Sequence, residues 1–241
     1  MATFSLSNVG PIYRREIRSY FQSPVAYVVI VVFLAIVGWF FTSDLFLFNL
    51  ASLRIGLFDR IPLVFLFFVP AITMRLLAEE KKSGTLELLA TRPVRDVEIV
   101  LGKFFAAWTL LAAALAPTLI YLVTLAALGS PDPGPVITGY LGLLLMGGVY
   151  IAIGIFASSI TENQIVAFIV SLLIILALFM ADKVLVFVPP AVASTLEFIS
   201  IDYHFENIAR GVIDSRNLIY FGSVLGFALL LATTSLERRK W

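Results

Sequence analysis

Residues Glu79 to Lys103 carry ten charged side chains in 25 positions, set between two strongly apolar stretches. The run reads Glu79-Glu80-Lys81-Lys82-Ser83-Gly84-Thr85-Leu86-Glu87-Leu88-Leu89, passes through Arg92-Pro93-Val94 and closes on Gly102-Lys103. A Lys, Arg or Asp held at the centre of a bilayer costs about 2.5–3.5 kcal/mol. Ten such groups would cost roughly 25 kcal/mol or more on that scale, so the island lies in water. Leu86, Leu88, Leu89, Val94, Val97, Ile99 and Val100 also give it apolar surface to fold against something. Charges of both signs beside a short apolar stripe make a docking surface, and the chemistry expected of it is recognition.

Other chemistries find little support. His204 is the only histidine, in a segment His204-Phe205-Glu206 followed by Arg210, and a lone histidine there suits hydrogen bonding better than ligation or base catalysis. Ser158-Ser159 has no base nearby in sequence and is expected to satisfy backbone carbonyls or a neighbouring helix. Gly102-Lys103 lacks the upstream glycine and the following Ser or Thr of a phosphate loop. Cysteine is absent, which excludes disulfides and thiolate metal sites. Ionisable groups, which intramembrane enzymes and ion-coupled carriers keep within their spans, are expected only at span ends, at Asp182, Lys183 and Arg75. No catalytic, metal or cofactor-binding residue is assigned to the chain itself, and any energy it uses must come from a partner. The net charge of +1 gives no sign of nucleic-acid binding.

The elements that position these residues follow from hydropathy. The chain is 60% hydrophobic, its mean hydropathy is +1.00, and membrane spans need about 20 apolar residues each. Six are expected, at 24–43, 57–77, 104–128, 136–160, 165–187 and 217–236. The first begins at Pro24 and is too long for the core of a cleavable signal. In the second, the fourteen residues between Arg60 and Arg75 rise about 21 Å against a hydrocarbon core of about 30 Å. Either both arginines snorkel to opposite interfaces, or the helix breaks or re-enters at Pro70. Lys and Arg divide twelve to five in favour of the side holding both termini, the island and the 161–164 turn, which predicts that side to be cytoplasmic. Residues 1–23 read as an interfacial helix with Tyr13, Ile17, Tyr20 and Phe21 on one stripe and Arg14, Arg15 and Arg18, toward lipid headgroups, on another. Between spans five and six, residues 188–216 read as short outer helices after a break at Pro189-Pro190. Gly139, Gly142, Gly147, Gly148 and Gly154 form a small-residue seam in the fourth span, within the chain or between protomers. The predicted class is an all-α integral membrane protein, one transmembrane domain over 1–241 with a cytoplasmic hairpin at 78–103.

The island resembles the signature of ABC exporter permeases of the second type, and the order of elements agrees. Within that superfamily the chain is most similar to small permeases of the gliding-motility-associated group, whose relatives include the permease for copper-site maturation of nitrous oxide reductase. Ser158 to Gln164 and His204-Phe205-Glu206 with Arg210-Gly211-Val212 extend the likeness. The resemblance implies that the hairpin holds a coupling helix, Glu79 to Leu89, seated in a groove of a separate cytoplasmic ATPase that binds ATP and Mg. Glu79, Glu80 and Glu87 would meet basic partner residues, Leu86, Leu88 and Leu89 would fill the groove, and Gly84 would supply a bend. Arg92, Pro93, Val94, Gly102 and Lys103 would support it. Arg95 departs from the small capping residue expected at its position. The resemblance further implies a dimer with a second copy or a sister permease, an outer-side accessory protein, a bacterial or archaeal cytoplasmic membrane and an exported cargo, for which spans without charges suit an amphipathic or lipid-like molecule better than a bare ion. Transmission of ATP-driven motion to an outer partner without transport is an alternative; an intramembrane enzyme or scaffold is a weaker one.

Overall fold

The computed structural model describes residues 8–47, 53–85, 94–128, 132–187 and 189–238, and every regular element among them is helical. In order they are α1 (Val9–Gln22), α2 (Pro24–Leu47), α3 (Ile61–Thr73), α4 (Arg75–Lys82), α5 (Asp96–Leu115), α6 (Leu119–Leu128), α7 (Pro133–Ser159), α8 (Gln164–Met180), α9 (Pro190–Ile199), α10 (Ile201–Ala209) and α11 (Ser215–Glu237). A π-turn (Arg54–Phe58) precedes α3, and 3-10 turns cover Ala116–Thr118 and Lys183–Phe187. Among the described residues, five stretches are long and apolar enough to cross a membrane: Ala26–Phe46, Gly56–Lys82, Asp96–Leu128, Pro133–Ser159 and Ser215–Glu237. Gln164–Met180, fifth in chain order, is apolar but shorter.

Helix α7 is the hub, packing against α3, α5, α8, α10 and α11. Its glycines make this possible. A Cβ on Gly154 would lie 2.7 Å from Thr73 Cβ and closer still to its hydroxyl; one on Gly142 would lie 3.1 Å from the Phe205 ring. Gly139 is crowded in the same way by Phe58, and Gly147 by Leu111. The small-residue seam is therefore used within the chain, where missing side chains let backbones approach. Helix α8 buries only Ala167, Ser171, Ile175 and Phe179, a single stripe at helical spacing.

Several boundaries differ from the sequence expectation. The fifth apolar helix stops at Met180, well before Pro189-Pro190. Just beyond it, Asp182 accepts from Ser200 Oγ at 2.9 Å and Lys183 pairs with Asp202 at 2.7 Å, which turns the chain sideways into the outer segment. In the second span the helix continues through Pro70, with Met74 N–H donating to the Pro70 carbonyl at 2.9 Å. The interruption comes at Met74, where α3 hands over to α4. Pro70 has no N–H to give, and Thr73 Oγ1 bonds back to the Val69 carbonyl at 2.9 Å. Arg60 and Arg75 are both anchored, Arg60 3.6 Å from Asp44 and 5.6 Å from the Phe40 ring, Arg75 5.4 Å over the Tyr20 ring. Helix α2 runs past the expected end of the first span at 43, so that Asp44 lies within it and is buried.

Close packing of α3 on α7 makes a direct prediction. Gly154→Val should cost about 1–3 kcal/mol through overpacking and lower the thermal midpoint of the purified chain in detergent. Gly226→Ala, where an added Cβ meets nothing within 4 Å, should leave it unchanged or raise it.

Candidate functional site

Helical segments enter the polar island from both sides, α4 continuing the second span and α5 opening the third. Residues Leu86, Glu87, Leu88, Leu89, Arg92 and Pro93, expected at the tip of the hairpin, lie outside the described residues. The roots on either side of the tip are described, and α1 is fastened to both.

Lys103, one turn or two into α5, has a side chain only 1% exposed. Its ammonium meets Glu16 Oε1 of α1 at 3.2 Å and Glu80 Oε1 of α4 at 2.9 Å. Arg15 closes the ring, its Nη2 lying 2.8 Å from each of the same two carboxylates. Two cations and two anions thus cancel at the point where three helices meet. Burial alone would raise the Glu16 pKa, but Lys103 and Arg15 outweigh it and hold the carboxyl below its usual value.

A second fastening sits one turn away. Glu98 is buried and accepts from the Asn8 backbone N–H and Asn8 Nδ2, both at 3.1 Å, and from the Arg95 backbone N–H at 2.9 Å. The Arg95 position therefore starts α5 without a small capping side chain, because Glu98 reaches back to satisfy its N–H. Gly102 gives α1 room: a Cβ there would sit 2.6 Å from Ile12 Cγ2. Tyr13 OH lies 3.2 Å from Thr109 Oγ1. Helix α1 packs on the third span, with Tyr13, Ile17 and Phe21 against the core, while Arg14 and Arg18 face outward.

The island residues divide by orientation. Glu79, Lys82, Ser83 and Thr85 are exposed. Glu80 turns in to Arg15 and Lys103, and buried Lys81 donates to the Ser159 carbonyl at the end of α7. Gly84 has φ +70 with nothing within 4 Å of an added Cβ, a left-handed turn in open space. Val94 packs half-buried against the core. A cleft of about 540 Å³ between α1 and α4 is lined by Arg15, Glu16, Arg75, Glu79, Glu80 and Lys103. The sequence reading overlooked Glu16, Asn8 and Glu98; the available signal was a single acid set among three arginines.

On the opposite end, His204 is buried, with Nδ1 2.7 Å from Asn217 Oδ1, Nε2 3.0 Å from the Phe198 carbonyl and its ring stacked on Tyr220. Both nitrogens are thus occupied by the chain itself. Phe205 fills the space over Gly142, and Glu206 pairs with Arg210 at 2.9 Å. Asp182, Asp202 and Glu206 gather around Lys183. Burial of Asp202 raises its pKa despite the opposing pull of Lys183. Among the described residues no group of three or more His, Asp or Glu side chains forms a metal site.

Residues 49–201 match the model of a family described as "ABC-2 family transporter protein". The chain belongs to that family. The matched stretch runs from before the second span to the start of α10, so it contains the island and the glycine seam of α7. No curated protein shows a significant match to it. This ABC-2 protein is accordingly a multi-pass membrane protein and the permease subunit of an ABC transporter, a family whose members work with a cytoplasmic ATPase.

Lys103→Met should remove the buried cation between Glu16 and Glu80 and leave only the half-exposed Arg15 to hold them. The expected cost is about 3–5 kcal/mol, read as faster hydrogen exchange throughout α1; unchanged exchange would remove Lys103 from the account. The pH dependence follows from Glu16. Its pKa lies below the ordinary 4.5, so its stabilisation is complete above that pH and is lost as pH falls through the lowered value. Protection of α1 should hold at neutral pH and fail only on acidification below about 4.5.

Proposed function

We propose that this ABC-2 permease couples ATP hydrolysis by a separate cytoplasmic ATPase to export of an amphipathic or lipid-like substrate. The observation that carries the reading is the anchored hairpin root. Lys103, Glu16 and Glu80 bind α1, α4 and α5 into one body, while Glu79, Lys82, Ser83 and Thr85 stay exposed beside the left-handed Gly84. A surface that receives a push must be stiff behind and free in front. The segment Glu79 to Leu89 is assigned as the element that enters the ATPase groove, supported by Arg92, Pro93, Val94, Gly102 and Lys103. ATP and Mg are bound by the ATPase, and the chain itself carries no catalytic residue.

In this proposal both termini and the hairpin face the cytoplasm of a bacterial or archaeal cell. Two permeases, identical or sister chains, pair with two ATPases, and the pathway follows their seam to end beneath α9 and α10. The gliding-motility-associated group is the subgroup proposed. Exposed apolar side chains on α8, such as Ile165 and Leu173, suit a seam or lipid contact.

A second reading keeps the coupling and replaces export by transmission of motion to an outer-side protein. It is favoured by an outer cleft of about 480 Å³ lined by Glu197, Phe198, Tyr203, Arg210, Val212 and Arg216, a mixed apolar and charged surface suited to a protein partner. ATP turnover in vesicles without movement of any amphipathic probe would select it.

Replacing Gly84 by Val imposes a left-handed conformation on a β-branched residue, at about 1–2 kcal/mol. Gly84→Val and Glu87→Lys should each leave membrane insertion intact and abolish stimulation of the copurified ATPase by the permease. Full stimulation in both variants would contradict the assignment of the hairpin.

A further inference from the structure

Ser158 is fully buried at the end of α7, and all of its hydrogen-bonding capacity is spent on another helix. Its Oγ accepts from the backbone N–H groups of Leu77 at 3.0 Å and Ala78 at 2.9 Å, and donates to the Met74 carbonyl at 2.9 Å. A hydroxyl has one donor and two acceptor lone pairs, so nothing is left over.

The three backbone groups belong to the interruption in the second span. Where α3 ends at Thr73 and α4 begins at Arg75, the first turn of α4 has donors without partners of its own. Such donors are ordinarily met by a capping side chain just upstream. Met74 occupies that position and has no hydroxyl or carboxylate to offer. Ser158 supplies the cap from a different helix, 80 residues further on in the chain. On the other side of the break, the Ile72 carbonyl accepts from the Tyr20 hydroxyl of α1 at 3.3 Å.

The next residue extends the attachment. The Ser159 carbonyl, at the C-terminal end of α7, accepts from Lys81 of α4 and from Ser235 Oγ of α11 at 3.2 Å. A cation near a helix C-terminus is favourably placed. Two consecutive residues of the fourth span thereby grip the hairpin root on one side and the sixth span on the other.

We infer that Ser158 is a positioning residue for coupling: it is the pivot that passes displacement of α4 to α7 and α11. The inference rests on the proposed coupling role and adds the route by which motion leaves the hairpin. Without the cap, Met74 is a loose joint, and a push on α4 is absorbed there by local unwinding. With it, the broken helix has a fixed fulcrum on the hub of the bundle.

The chain contains no cysteine, so spin labels can be placed at Arg18→Cys on α1 and Val212→Cys on the outer segment. The complex, purified with its ATPase through a tag on this chain, is compared without nucleotide and trapped with ATP and vanadate. The wild-type background should show a nucleotide-dependent change in the label distance, and Ser158→Ala should abolish it while ATPase copurification persists. Amide exchange at Leu77 and Ala78 should rise on the order of tenfold in Ser158→Ala. Ser171→Ala is the control, since Ser171 is an equally buried serine in α8 whose hydroxyl has no partner among the described residues; it should keep the full distance change. If Ser158→Ala fails to insert, Lys81→Met probes the same attachment and should reduce the change. A full change in Ser158→Ala, or in an inserted Lys81→Met where Ser158→Ala is lost, overturns the pivot and leaves the coupling role standing. An equal loss in Ser171→Ala also overturns it, by reducing the effect to packing. No change in the wild-type complex overturns the coupling role, and the pivot with it.

Discussion

A lysine cannot be sealed inside a helical bundle without partners. Removing an ammonium from water costs several kcal/mol even after relaxation, so Lys103 dictates what must stand beside it. Glu16 and Glu80 are the response, one carried by α1 and one by α4. Their charges also require Arg15, which keeps the cluster neutral. Three helices that are distant in sequence are held together because one side chain would otherwise be untenable. The amphipathic N-terminal helix is thus a structural part of the hairpin, packed on α5 through Ile12 over Gly102 and Asn8 on Glu98.

A permease of this family works with a cytoplasmic ATPase, and the bundle of this one is largely apolar and closely packed. Dense interiors shift between discrete arrangements more readily than they deform. The ABC-2 protein concentrates its polar attachments at the hairpin end of the bundle and around Lys183 at the other, and joins them by α7. Glycines at 142 and 154 bring α10 and α3 against that helix at short range. The outer cluster of Asp182, Lys183 and Asp202 closes the far end, tying the exit of α8 to α10. Among the described residues, two of the long spans are largely enclosed by the chain itself, the second at 72% and the fourth at 78% of their apolar windows. These are the two joined by Ser158, so the connection runs through the least lipid-exposed part of the molecule.

Much of this was legible from residue types. Runs of apolar residues located the helices, and the density of charge marked 79–103 as a polar island, though Lys81, Glu98 and Lys103 within it are buried. The glycine seam and the hydrogen-bonding role of Ser158-Ser159 were visible as composition, though their partners were not. What could not be read is who faces whom. Glu80 and Lys81 look alike in sequence to Glu79 and Lys82, yet helical periodicity turns the first pair inward and the second outward. Glu16 is unremarked in a basic helix until Lys103 is seen opposite. Pro70 drew attention as a breaker, but the helix runs through it and the ladder yields at Met74. The fifth helix ends early through contacts made by Asp182 and Lys183, which hydropathy cannot register.

The central claim is that α1 and the hairpin root move as a single body. Spin labels at Arg18→Cys and Lys82→Cys, measured in the complex with its ATPase, test it directly. The account predicts the same narrow distance distribution without nucleotide and with ATP and vanadate. A distance between α1 and α4 that changes with nucleotide would contradict it, because the Lys103 cluster would then open during the cycle.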